Sequence, residues 1–159
     1  MIQLTLISVG TLKEEYLKSA YAEYKKRLSQ YARVDEINIK EEQIKNEDDQ
    51  SEIARALDAE GDKILSAVPK GATLFAMCVE GKEYDSPTLS RLIESEGDAS
   101  GKVAFVIGSS HGLADKVKRE ARHRLSVSKL TFPHQLMRVM LSEILYRSFT
   151  IIAGKKYHK

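Results

Sequence analysis

The sequence predicts an α/β protein: a mostly parallel sheet with helices on both faces. Strand-length apolar runs alternate with segments of helical periodicity from one end to the other. Two of the runs, 73–79 and 103–107, are continuously apolar, as strands buried on both faces are. With 42% hydrophobic and 30% charged residues, the 159 residues suit one globular domain, 1–159, long enough to bury a core. There is no internal repeat, linker or low-complexity stretch.

Residues 3–9, closed by Gly10, read as the first strand. Between 13 and 31, Leu17, Ala20, Tyr21, Tyr24 and Leu28 recur at helical spacing with charges between them. Residues 34–39 alternate as a second strand, and the polar, acidic 40–50 segment reads as a mobile loop. A helix from about Ser51 runs through Ile64 and Leu65 to a stop at Pro69 and Gly71. After the 73–79 strand and a loop at Glu80-Gly81, Ser86 and Pro87 open the next helix as cap and first-turn residue. Residues 97–101 read as a turn, 103–107 as a strand, 115–122 as a short helix and 125–127 as a short strand. The last helix starts near Pro133, where Leu136, Met137, Met140, Leu141, Ile144 and Leu145 form a wide apolar stripe suited to a core or a packed dimer face.

The formal charge of +2 conceals an asymmetry: residues 116–159 carry net +9 and residues 1–115 net −7. A basic segment of this kind suits a polyanion such as nucleic acid, and is equally the pattern of a solvated face. The single Cys78 excludes an internal disulfide framework. No apolar run approaches the roughly 20 residues of a membrane span, and the first residues lack a secretory pattern. A cytoplasmic protein is expected.

In an open α/β sheet, ligands bind beyond the carboxyl ends of the strands. The loops there are Glu80-Gly81, Gly108–Gly112 and Ser128–Pro133. Gly108 after a strand lets the backbone approach a ligand, but the run does not complete G-x-G-x-x-G and no acidic residue follows to hold a ribose. A Walker loop is absent. Ser109, Ser110 and His111 admit a hydrolase with His134 or His158 as base, although the nucleophile-elbow spacing is wrong. Four scattered histidines and one cysteine show no metal-ligand spacing, so no metal is expected. Residues 125–132 combine hydroxyl and peptide groups with apolar flanks, a loop that could enclose a flat heteroaromatic ring. The tail Tyr157, His158, Lys159 supplies three groups that can each touch a substrate.

Phe105–Leu113 (FVIGSSHGL), together with SKLTFPHQLMRVMLSEILYRSF and the closing YHK, resembles the RlmH-type methyltransferases of large-subunit ribosomal RNA, of the SPOUT class. The opening ISVGTLKEEYLKSAYAEYKKRL is also similar, so the resemblance spans essentially the whole chain. It implies a homodimer with a trefoil knot near the C-terminus, which general topology rules disfavour. It implies S-adenosylmethionine as methyl donor and N3 of a pseudouridine in 23S rRNA as acceptor. By position, Gly108, Val127, Ser128, Lys129, Leu130, Thr131 and Phe132 match the family's cofactor segments. Met77 stands where the family usually has leucine, and Ser109 where it has the second glycine of a pair. The resemblance and the tail composition together suggest His158 as base or hydrogen-bond partner and Tyr157 as the group that orients the acceptor base. Arg147, Lys155, Lys156 and Lys159 would hold phosphates, and the tail would complete the partner subunit's site. The competing reading is an RNA-binding or ribosome-associated module without catalysis.

Overall fold

The computed structural model describes residues 1–157, and the expected tail residues His158 and Lys159 lie outside them. Five strands, β1 (Gln3–Val9), β2 (Arg33–Ile39), β3 (Thr73–Lys82), β4 (Lys102–Ile107) and β5 (His123–Leu125), alternate with five helices. The helices are α1 (Glu15–Leu28), α2 (Gln50–Ala67), α3 (Ser86–Ser100), α4 (Asp115–Glu120) and α5 (His134–Ile152). The sheet runs β2-β1-β4-β3-β5 with every pairing parallel.

The continuous apolar runs follow from side chains alternating between two buried faces. Leu4, Leu6, Phe75, Met77, Val103 and Phe105 share one core with Tyr21 and Leu28 of α1, Leu89 and Ile93 of α3, and Leu141, Leu145 and Phe149 of α5. Ile7, Val9, Leu74, Ala76, Ala104 and Val106 share the other with Ile64 of α2 and Val117 of α4. The Phe75 and Phe105 rings stack at 4.4 Å on neighbouring strands, a pairing that adds about 0.5–1.5 kcal/mol beyond area burial. At the amino ends of the strands, the buried Glu96 carboxylate accepts from Thr73, Arg122 and His123.

Several expected boundaries shift. Glu80-Gly81 is not a loop: β3 continues through it to Lys82, with a bulge where both Met77 and Lys82 pair with Leu125. A Cβ on Gly81 would sit 2.8 Å from the Arg124 backbone, so glycine lets the extension lie against β5. The cap of α3 is Asp85, whose carboxylate accepts the Thr88 N–H, and Ser86 is the first helical residue. Residues 97–100 are helical rather than a turn, and the chain turns only at Gly101. The fifth strand lies at 123–125, two residues earlier than expected, where His123, Arg124 and Leu125 pair with Phe75, Ala76 and Met77 of β3. The polar 40–49 segment has no regular structure, yet α2 binds its backbone: Glu60 accepts from Glu42 N, and Glu52 from Lys45 N and Asn46 N.

Candidate active site

The carboxyl ends of β3, β4 and β5 open into a cleft of about 690 Å³ between the 108–114 loop, the 126–133 loop and the first turn of α5. That size falls within the roughly 300–1,000 Å³ usual for small-molecule sites. Its floor is apolar: Met77, Ile107, Leu113 and Leu125. The first loop turns sharply, with Gly112 N donating to Ser109 O at 2.9 Å. A Cβ on Gly108 would lie 2.2 Å from Gly112 O, so only glycine fits there. Ser109 is buried, accepts the His111 N–H through its hydroxyl and has ordinary negative φ, so a side chain here brings no backbone strain. His111 at the tip pairs with Glu47 of the 40–49 segment.

The second loop is braced from within. Ser126 Oγ donates to Ser128 O at 2.9 Å, and Ser128 Oγ accepts the Leu130 N–H at 3.0 Å. Pro133 then opens α5 without any side-chain cap. His134 follows, and burial pushes its imidazole below the ordinary value, favouring the neutral ring. At the rim Lys118 bonds Glu80, and that hydrogen bond is the main reason the carboxylate is held below its ordinary range.

Of the residues expected to contact a cofactor, Met77, Gly108, Val127, Ser128, Leu130, Thr131 and Phe132 all line this cleft. Lys129 is exposed and does not. The expected acceptor-side residues lie elsewhere. Tyr157 donates to Glu143 Oε1 at 3.3 Å, packs edge-on against Tyr146 at 4.7 Å and lies beneath the Arg147 guanidinium at 4.8 Å. Arg147 also grips Glu143, at 2.8 and 3.1 Å. Burial and the Glu143 charge push the Tyr157 phenol up, so it remains a donor. Glu143 and Arg147 sit nine and thirteen residues beyond His134, roughly 14–20 Å along the helix at about 1.5 Å per residue. Within one chain, then, the Tyr157–Arg147 cluster and the cleft are separate; Lys155 and Lys156 are exposed beside that cluster.

Met137 in the cleft wall and Glu143 beside Tyr157 were not expected from sequence, whereas Ser126 was expected only as part of the 125–132 loop and His134 only as a hydrolase base. Glu143 was findable, since it stands four residues before Arg147 on a helix. Among the described residues, no group of three His, Cys, Asp or Glu side chains could hold a metal ion, and no helix is long and apolar enough to cross a membrane.

A parallel α/β sheet whose cleft is walled by two strand-end loops and the start of the last helix defines a small-molecule-binding α/β protein. The chain belongs to the SPOUT methyltransferase family: the family model described as "Predicted SPOUT methyltransferase" matches residues 2–158. It is 47% identical to the ribosomal RNA large subunit methyltransferase H of Caldicellulosiruptor bescii, over 98% of this chain and 99% of that one. It is 42% identical to the protein of the same name from Bacillus pumilus, over 99% and 100%. In fold it is similar to a "probable methylase family protein" of Haemophilus influenzae, with TM-score 0.60 and 15% identity over 100% of this chain and 72% of that one.

Proposed function

We propose that this chain transfers the methyl group of S-adenosylmethionine to N3 of a pseudouridine in 23S rRNA, on the assembled ribosome, in the cytoplasm. It acts as a homodimer of single domains spanning 1–159, each with the C-terminal trefoil knot of its family. The observation that carries the reading is near-full-length identity to proteins named ribosomal RNA large subunit methyltransferase H, combined with a cleft in the matching segments.

The cleft suits such a donor by its chemistry. Met77, Ile107 and Leu125 offer an apolar bed for a flat ring, and Ser126–Phe132 offer hydroxyl and peptide groups for its polar edge. Gly108 leaves its backbone open where any side chain would collide. When bound, the donor supplies a methyl group already activated by its sulfonium. The protein must align the acceptor nitrogen with that methyl and take the N3 proton. We assign the proton to His158, the orientation of the base to Tyr157, and phosphate contacts to Arg147, Lys155, Lys156 and Lys159. Lys129, exposed at the loop tip, contributes to cofactor binding through its backbone.

The distance between the two groups of residues supports a homodimer in which the Tyr157 cluster, roughly 14–20 Å along α5 from its own cleft, serves the partner's. The outer face of α5 supports this, with Leu136 37% exposed and Met140 half-buried one turn on, and Leu130 of the cleft loop is 70% exposed.

The test is methyl transfer from labelled S-adenosylmethionine to 70S ribosomes, separated subunits and naked 23S rRNA, with mass mapping of the product. One added methyl group on a pseudouridine of the assembled ribosome is expected. Donor binding without transfer to any of these RNAs would sink the reading in favour of a binding module.

A further inference from the structure

Arg138 stands inside the apolar stripe of α5 and is 4% exposed. Its guanidinium donates to Gly10 O at the end of β1 (3.1 Å) and, on β2, to Asn38 Oδ1 (3.1 Å) and Glu36 Oε1 (3.3 Å). It also lies over the Tyr21 ring of α1, 5.4 Å from the centroid. All of these partners lie 100 residues or more away in sequence. One side chain thus ties α5 to three other elements. A buried charge with so many partners is costly to place and costly to disturb.

The start of α5 depends on such ties. Pro133 has no side-chain cap, and the first turn is otherwise held from outside by Gln135, whose Oε1 accepts the Lys13 N–H at 3.0 Å. Met137, adjacent to Arg138, and His134, four residues before it, line the cleft. Behind Ile107, which faces both, a small cavity of about 10 Å³ lies against Arg138 and Tyr21.

We infer that Arg138 is the positioning residue that sets the first turn of α5 and thereby the His134–Met137 wall of the donor cleft. It touches neither donor nor acceptor and acts through the helix. The inference rests on the donor assignment only for its effect on binding; the anchoring itself does not.

The experiment compares Arg138→Met and the milder Asn38→Ala with the parent, using Ile64→Val as a control destabilised in the α2 core on the opposite face of the sheet. Hydrogen exchange is read segment by segment, and S-adenosylmethionine binding is measured by calorimetry at a temperature where all four are folded. Faster exchange confined to 126–137 is expected in both anchor variants, with donor Kd raised at least tenfold in Arg138→Met and about threefold in Asn38→Ala. The control should leave both readouts unchanged. Unchanged or evenly spread exchange in the anchor variants, or a Kd equal to the parent's, overturns the inference. If the parent itself binds no donor, the donor assignment falls, while the exchange pattern still decides the anchor.

Discussion

The Glu60 carboxylate accepts the Glu42 backbone N–H at 2.9 Å, yet its second oxygen is buried without a partner. Together with the Glu52 bonds to Lys45 N and Asn46 N and the Lys63–Glu42 pair, this bond joins α2 to the segment that flanks the His111 tip of the cleft. Burial pushes the carboxyl above its ordinary value of 4.5, against the pull of the Glu42 N–H. A raised acid favours the fold while protonated: that contribution is complete below 4.5 and is lost as pH rises through the folded-state value. Glu60→Gln keeps an acceptor and removes the ionisation. Its Tm should exceed the parent's at pH 8 and match it at pH 4 in calorimetric scans; a lower Tm at pH 8 would show that the charge is needed.

Glu96 behaves with the opposite sign. Burial opposes ionisation, but hydrogen bonds from His123, Arg122 and Thr73 outweigh it and hold the carboxyl below 4.5. Its contribution is present above that value and is lost as pH falls through the folded-state one. Glu96→Gln should be less stable at pH 7, by about 1–3 kcal/mol, because one of its two accepting oxygens becomes an NH2 donor facing either Thr73 or the Arg122–His123 pair. Its stability should also fall less than the parent's between pH 6 and pH 3. Parallel acid limbs in urea titrations would contradict this.

Gly108→Ala places a methyl where Gly112 O stands. The first loop must shift, at about 1–3 kcal/mol for overpacking. Donor affinity should drop at least tenfold by calorimetry, with the far-ultraviolet circular dichroism unchanged. Ser109→Gly, by contrast, should bind donor within about twofold of the parent, since Ser109 already has an ordinary backbone conformation.

Truncation after Lys156 removes Tyr157, which does not line the cleft, together with His158 and Lys159. Methyl transfer should fall below detection while donor Kd stays within about threefold of the parent. Full activity in the truncated chain would exclude the tail from the chemistry.

Leu136→Glu puts a charge on the outer face of α5, where the parent leucine is 37% exposed. Sedimentation should show a monomer, with transfer lost and Tm little changed. A dimer of normal activity would place the interface elsewhere.

The alternation of strand and helix was legible because it is written in local periodicity. Residues 73–77 and 103–107 announce two-faced burial by being apolar throughout, and all five strands and five helices were located within a few residues. The cleft segments were legible too, through the match of Gly108 and 127–132 to a family pattern. What the sequence could not report was where the chain bends over something distant. The β3 bulge that carries Glu80-Gly81 into the sheet exists because β5 lies alongside it, and Gly97 is helical because its helix is packed rather than because glycine favours one.

Sequence by itself determined the α/β class, the charge asymmetry and the residue types that meet at the strand ends, since those depend on neighbours in the chain. Tertiary structure alone decided that Arg138 reaches Gly10 and Asn38, and that Tyr157 folds back onto Glu143 rather than toward its own cleft. Pairings such as Arg138 with Gly10 close loops of a hundred residues and more, and no local pattern encodes which partner a buried charge will find. That choice follows from the packing of α5 across α1 and the sheet, which sets the polar groups within reach.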